Sequence, residues 1–216
     1  MSKIKIYVVG SAKRYASFIK NHILVEKMED SDIVLFTGGE DVNPEVYGHK
    51  PNQKSYFSKE RDLREIKEFE KARMLGKGMV SICRGSQLIT ALSGGTLIQH
   101  VSNHAIAGTH KIKFLEDEKE MYITSTHHQM MNPFGLDESE YDLIAVSASK
   151  RSFTYEQSSP SDQALNMASE PEIVYYKASK ALAIQGHPEM MSKDEDVVIK
   201  INSLINTYLL ANELTK

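Results

Sequence analysis

Three times in the first half of the chain, a short run of mostly apolar residues stops at a turn and gives way to a segment of different periodicity. "KIKIYVV" stops before Gly10, "DIVLFTGG" at the pair Gly38 and Gly39, and "GMVSIC" at "RGSQLITALSGG". Short apolar runs bounded by glycine read as buried strands, and strands that alternate with helical stretches read as βαβ units around a parallel sheet. This restricts the chain to the α/β class with a mainly parallel central sheet.

The helical stretches follow from apolar spacing. Tyr15, Phe18, Ile19 and Ile23 predict a helix that closes near Met28, and Leu63, Ile66, Phe69 and Ala72 predict one from about Lys59 to Leu75. Leu88, Ile89 and Leu92 form the inward face of a third helix, stopped by Gly94 and Gly95. The second half is richer in strands: "HKIKF", "MYITST", "LIAVSAS", "EIVYYK" and "LAIQG", some of them antiparallel at the sheet edge. An amphipathic helix carrying Val197, Val198, Ile201, Leu204, Ile205, Tyr208 and Leu209 closes the chain over one sheet face. Long loops are expected at 40–58, 100–109 and 150–170, the last being the most polar and the one expected to move. No repeat or sharp linker divides the chain, so one domain over residues 1–216 is expected.

Composition narrows the function classes. The 216 residues carry a formal net charge of −3 with Lys and Arg scattered, which argues against a nucleic-acid partner. "MSKIKIYVVG" turns polar at "SAKRY" before a signal-peptide core forms, and no apolar stretch approaches a membrane span. The expectation is a cytoplasmic chain with no membrane association. Its single cysteine, Cys83, rules out an internal disulfide and is either a small core residue or a reactive thiol.

The position of Cys83 bears on that choice. It lies where the third strand meets its helix, at the sheet end where α/β proteins bind ligands. A nucleophile on such a turn needs small neighbours two residues away, and Ser81 and Gly85 supply them. The helix N-terminus beside the thiol favours the thiolate. Near the C-terminus, "GHPE" offers His187 and Glu189: Pro188 biases His187 to extended backbone, and two residues apart on a strand share a side. A base and the carboxylate that orients it would complete a Cys-His-acid triad. A zinc site using Cys83 with His100, His104 or His110 lacks a paired ligand motif, and the triad accounts for Cys83 better. His110, at a strand start, reads as a solvated edge residue.

"SICRGSQLITALSGGTLIQ" together with "GHPE" resembles the class I glutamine amidotransferase superfamily, and within it the gamma-glutamyl hydrolase branch, peptidase C26-like and related to gamma-glutamyl-gamma-aminobutyrate hydrolases. "FTGGEDVNPEVYG", Arg61 with Asp62 and Glu65, and "STHHQ" match further blocks of that branch in order, from about residue 33 to 190. The resemblance implies a flavodoxin-like three-layer sandwich with a nucleophile elbow. It implies a Cys83 thiolate attacking a gamma-glutamyl amide, His187 carrying the proton to the leaving amine, and Glu189 orienting His187. It implies also an oxyanion hole from the backbone N–H groups of Arg84 and of Gly39 in the 38–39 pair, with Gln87 and His128 binding the glutamyl group. No cofactor and no metal is implied. The Arg84 side chain either binds a substrate carboxylate or pairs with Asp62 or Glu65. Of His127 and His128, adjacent on a strand, one lines the pocket and the other packs.

Two positions depart from the branch. Ser81 replaces a glycine, and Gly186 replaces an aromatic before His-Pro-Glu, which is expected to remove one pocket wall and loosen leaving-group preference. The first function expected is autonomous hydrolysis of a small gamma-glutamyl substrate, with a homodimer as one assembly. The alternative is a glutaminase subunit handing ammonia to a synthetase partner, and a non-enzymatic binding module conflicts with an intact Cys, His and Glu set.

Overall fold

A computed structural model describes residues 3–157 and 167–211. In chain order the strands of the first half are β1 (Ile4–Val8), β2 (His22–Leu24), β3 (Ile33–Phe36), β4 (Gly78–Ile82), β5 (Thr96–Ile98) and β6 (His100–Val101). Those that follow are β7 (Ala105–Phe114), β8 (Glu120–Thr126), β9 (Met130–Asn132), β10 (Tyr141–Ser147), β11 (Tyr155–Glu156), β12 (Pro171–Tyr176) and β13 (Ala181–Ile184). The α-helices are α1 (Lys59–Met74), α2 (Arg84–Leu92) and α3 (Asp196–Ile205). Among the described residues no helix is long and apolar enough to cross a membrane.

Nine strands form one sheet in the order β2-β1-β3-β4-β13-β12-β10-β7-β8. From β2 to β13 the pairings are parallel, in the spatial order of a flavodoxin-like doubly wound sheet. From β13 onward every pairing is antiparallel. The antiparallel part is therefore a continuous half of the sheet rather than a single edge strand.

Side-chain alternation along the parallel strands sorts two cores. Ile6, Leu35, Val80 and Ile82 meet Val197, Ile201 and Leu204 of α3 on one face. Val34, Phe36 and Met79 meet Phe69 of α1 and Ile89 of α2 on the other. Helices on both faces explain why β3 and β4 are buried at every position. Helix α1 carries its signals in order: Ser58 Oγ accepts from Arg61 N–H at 3.3 Å, Glu60 and Asp62 occupy the first turn, and Lys71 and Arg73 the last.

Three expectations are corrected, and a fourth lies partly outside the described residues. The helix predicted through Met28 is a 3₁₀ turn, Lys13–Phe18, followed by β2, because Asn21 takes a left-handed φ of 52° and the β-branched segment after it pairs with β1. The loop at 40–58 contains a 3₁₀ turn at Pro44–Tyr47, and that at 100–109 is mostly β6 and the start of β7. In the 150–170 segment, residues 158–166 lie outside the described residues. Its flanks are tied down: Tyr155 pairs with Val101 in β11-β6, and Ser152 and Met167 are buried. Residues 187–189 are not extended, since Pro188–Met190 is a 3₁₀ turn with proline in its first position.

Candidate active site

Strands β3, β4 and β13 run side by side, and their carboxyl ends carry Gly38 and Gly39, Cys83 and His187 to one end of the sheet. Cys83 holds φ 50° and ψ −109°, a conformation that L-residues avoid, at the junction of β4 and α2. Its N–H donates to Ile184 O at 2.8 Å and its carbonyl accepts from Gln87 N–H at 3.0 Å, so both flanking peptides are pinned. A Cβ at Gly85 would lie 2.7 Å from Phe36 O, which explains the glycine two residues on. Ser81 fits where its Oγ meets Leu182 O at 3.4 Å. This is the strained strand-to-helix turn of a nucleophile elbow, with the Cys83 side chain at the N-terminus of α2.

His187 Nδ1 lies 2.7 Å from Glu189 Oε1, and both side chains are almost fully buried. The 3₁₀ turn, rather than strand geometry, brings the two together. Burial alone would lower the His187 pKa, but interaction with Cys83 and with Glu189 raises it to about 10. The ring therefore favours its charged form. Tyr15, read in the sequence only as an apolar helix position, tilts against His187 with ring centroids 6.4 Å apart. Burial first, then the charges of Glu189 and Cys83, push its phenol pKa upward.

Gly39 has φ 150°, and the space a Cβ would need there is filled by the Arg61 guanidinium. Arg61 braces this turn: Nη2 donates to Gly38 O at 3.0 Å, Nη1 to Glu40 Oε2 at 2.7 Å and Nε to Glu65 Oε1 at 2.7 Å. The Arg84 side chain points away from the cleft. It is 1% exposed and pairs with Asp62 Oδ1 at 2.5 Å and with Glu65 Oε2, so of the two readings of this side chain the salt bridge is the one formed. Its backbone N–H, at the first position of α2, is one of the donors a helix leaves without an intrahelical partner.

A cleft of about 200 Å³ is lined by Gly39, Asp41, Cys83, Gln87, His127 and His128, among others. Gln87 Nε2 donates to Gln129 O at 3.0 Å, tying α2 to the histidine loop. His128 is half-exposed, with Nε2 3.0 Å from Asp41 Oδ1, and that hydrogen bond raises its pKa. His127 is buried, and burial holds its pKa well below the usual value. Asp41 lies in the block "GGEDVNP", yet nothing in sequence spacing marks it as the partner of a histidine 87 positions later.

Two sequence expectations fail here. Gly186 does not open a wall: a Cβ there would sit 2.6 Å from Ile123 Cδ1 and 2.9 Å from Thr124 O, so strand β8 already fills the volume. His110 is not a solvated edge residue but is 2% exposed, with Nε2 2.7 Å from Glu172 Oε1. With His104 and Glu172 it forms a group with metal-ligand chemistry, away from Cys83 in the antiparallel half of the sheet.

Comparison with known proteins gives the family and the fold. The peptidase C26 family model matches residues 17–189. The glutamine amidotransferase-like protein YvdE of Lactococcus lactis is 30% identical over 190 residues, covering 85% of this chain and 74% of that protein. Protein NtpR of Enterococcus hirae is 27% identical over 125 residues, 48% of this chain and 52% of NtpR. Among solved structures, a glutamine amidotransferase from Thermotoga maritima superposes with TM-score 0.58 at 14% identity, covering 100% of this chain and 87% of its own. The glutaminase domain of Trypanosoma brucei CTPS with bound acivicin gives 0.56 at 12% identity, covering 95% and 94%. Elbow, sheet order and family match converge: the chain belongs to the peptidase C26 family of the class I glutamine amidotransferase-like superfamily, a superfamily of hydrolases and amidotransferases.

Proposed function

We propose that the chain hydrolyses a gamma-glutamyl amide through a thioester on Cys83. The observation that carries the reading is the strained Cys83 elbow together with the His187–Glu189 pair, whose ring interacts electrostatically with Cys83 and whose Nε2 has no hydrogen-bond partner among the described residues. The Cys83 thiolate adds to the amide carbonyl, and the oxyanion is held by the N–H groups of Arg84 and Gly39. Addition consumes the thiolate, and with it one of the interactions that keep the His187 pKa near 10. The imidazolium then becomes a stronger acid as the tetrahedral intermediate forms and gives its proton to the leaving amine. Neutral His187 next takes a proton from water, hydroxide attacks the thioester, and collapse returns glutamate and the resting pair. Glu189 fixes the ring orientation throughout.

Gln87 and His128 line the cleft and are assigned to the glutamyl end of the substrate. Recognition of a free amino and carboxylate group asks for oriented polar partners, which discriminates sharply against analogues lacking them. Leaving-group tolerance cannot come from an open wall at Gly186, because Ile123 occupies it. The test is a steady-state assay of the purified chain, without added nucleotide, on a panel of gamma-glutamyl amides that includes free glutamine. Amine release by the chain alone supports autonomous hydrolysis; turnover confined to glutamine and dependent on an added synthetase would replace it with the ammonia-donating subunit.

A further inference from the structure

The antiparallel half of the sheet encloses a second polar group that the thioester chemistry leaves unused. His104, His110, His127, Glu170 and Glu172 are each no more than 3% exposed. Glu170 is fully engaged: it accepts from Tyr155 Oη at 2.7 Å, Ser152 N at 2.8 Å and Arg151 N at 3.0 Å, and faces His104 Nε2 at 3.2 Å. Glu172 is not. Its Oε1 lies 2.7 Å from His110 Nε2 and 3.8 Å from His104 Nδ1, and its Oε2 has no hydrogen-bond partner among the described residues. His110 Nδ1 and His127 Nε2 also have none among the described residues. A buried carboxylate oxygen and two imidazole nitrogens left this way cost far more than the same atoms in water.

Local backbone geometry aims these atoms inward. Val146 and Ala145 are consecutive in β10 but pair with Pro171 and Ile173 of β12, so Glu172 is the extra residue of a bulge. Bulges re-aim side chains and recur beside functional sites. His127 Nδ1 lies 2.7 Å from Gln129 O, which only accepts, so Nδ1 carries the proton and Nε2 presents a lone pair. An imidazole anchored through one nitrogen to a backbone carbonyl is the arrangement that orients metal-bound histidines. The His127 ring centroid lies 4.7 Å from that of His104.

We propose that His104, His110 and Glu172 form a structural zinc(II) site, with His127 Nε2 as the fourth donor. One ligand atom from each of the first three lies within 4.8 Å of the other two. Around zinc with bonds of about 2.0–2.1 Å, tetrahedral donors stand about 3.4 Å apart, so the separations among these three close by up to about 1.4 Å, and His127, which stands outside that group, moves further to join them. Nitrogen and carboxylate donors in a closed, four-coordinate set suit zinc rather than calcium or magnesium, which take oxygen. The ion supplies positive charge to Glu172 and ties β7, β12 and the Thr126–Gln129 segment, which lines the cleft, into one unit. Of the zinc ligands weighed in the sequence, two histidines are used and Cys83 is not.

The full chain, stripped with chelator and dialysed, is titrated with zinc sulfate, dialysed again and measured for metal content and melting temperature. About one zinc per chain is expected, with Tm raised by about 5–10 °C when free zinc is about 100-fold above Kd. Glu172→Gln and His110→Gln should lose the zinc, while Cys83→Ser should keep it. A parent chain that retains no zinc, a Glu172→Gln chain that retains as much as the parent, or a Cys83→Ser chain that loses it overturns the proposal. Cobalt(II) on the parent chain tests the site without any variant. The strong visible absorption of four-coordinate cobalt without a sulfur charge-transfer band supports the site; weak six-coordinate absorption or a thiolate band overturns it.

Discussion

The molecule holds two buried histidine–glutamate contacts of the same length, 2.7 Å, in the two halves of its sheet. His187 and Glu189 sit at the end of the parallel half, two residues apart on one tight turn. His110 and Glu172 sit within the antiparallel half, 62 residues apart, joined across the end of β10. What differs is the environment of the rest of the ring. His187 interacts electrostatically with Cys83, whereas His110 packs against the ring of His104; the remaining nitrogen of each ring, His187 Nε2 and His110 Nδ1, has no hydrogen-bond partner among the described residues. A histidine–carboxylate pair is thus a component whose surroundings are set by the third group it meets, a cysteine in one half and further imidazoles in the other.

Removing the third group should separate the two regions most strongly. Cys83→Ala is expected to lower turnover by at least about 1,000-fold with little change in Tm, since only a small side chain is lost. A folded Cys83→Ala chain with parent activity would end the thioester reading. Ring titration by NMR extends the test: in Cys83→Ser the His187 pKa should fall from about 10, because the thiolate is one of the groups that raise it. The His110 resonance should not respond.

Losing the ring itself should have the next largest effect. His187→Ala is expected to reduce kcat/KM by at least about 100-fold. Glu189→Gln should cost less, since the imidazole remains but is less well oriented. If the two variants prove equally damaged, Glu189 does more than orient.

A stability measurement probes the packing beneath the elbow. Arg84→Met leaves Asp62 as a buried acid without a counter-charge and Glu65 with Arg61 as its one remaining cation, and should cost about 3–5 kcal/mol in denaturant unfolding. A cost below about 1 kcal/mol would mean that these acids neutralise by protonation, toward which burial already pushes Asp62.

The last test is one of pH, and within it the His128 effect is the smallest expected. The folded pKa of His187 is raised, so its contribution to stability is full below the unfolded value of about 6.5 and is lost as pH rises through about 10. His128 follows the same sign through its bond to Asp41, but its half-exposed side chain limits the effect to under about 1 kcal/mol. Unfolding free energy in a His128→Asn chain should lose a small part of the decline seen on raising pH above 6.5, and an increase with pH in the parent over that range would contradict both assignments.

The parallel half was legible because its signals are local. Apolar runs ending at a turn marked β1, β3 and β4, apolar spacing marked α1, and "GHPE" held the proposed base and its carboxylate within three positions. Even there the reason was partly wrong, since a 3₁₀ turn and not an extended strand joins His187 to Glu189. The helix expected before Met28 failed because pairing with β1 outweighs apolar spacing in a short, β-branched segment. Contacts such as Asp41 with His128, or His110 with Glu172, depend on strand order and a bulge, which no spacing in one sequence encodes.

Gly186 shows what such blindness conceals. Ile123 occupies the volume above it, so the two positions share one fixed allotment of space between β8 and the turn after β13. An aromatic at 186 requires a smaller residue at 123 and a shift of the Thr124 carbonyl, which lies 2.9 Å from where its Cβ would sit. Among relatives the two positions should trade size, and Gly186→Trp combined with Ile123→Ala should recover part of what Gly186→Trp alone destroys, the contact with the Thr124 carbonyl remaining. A position that reads in isolation as a missing wall is one half of an exchange whose other half lies 63 residues upstream.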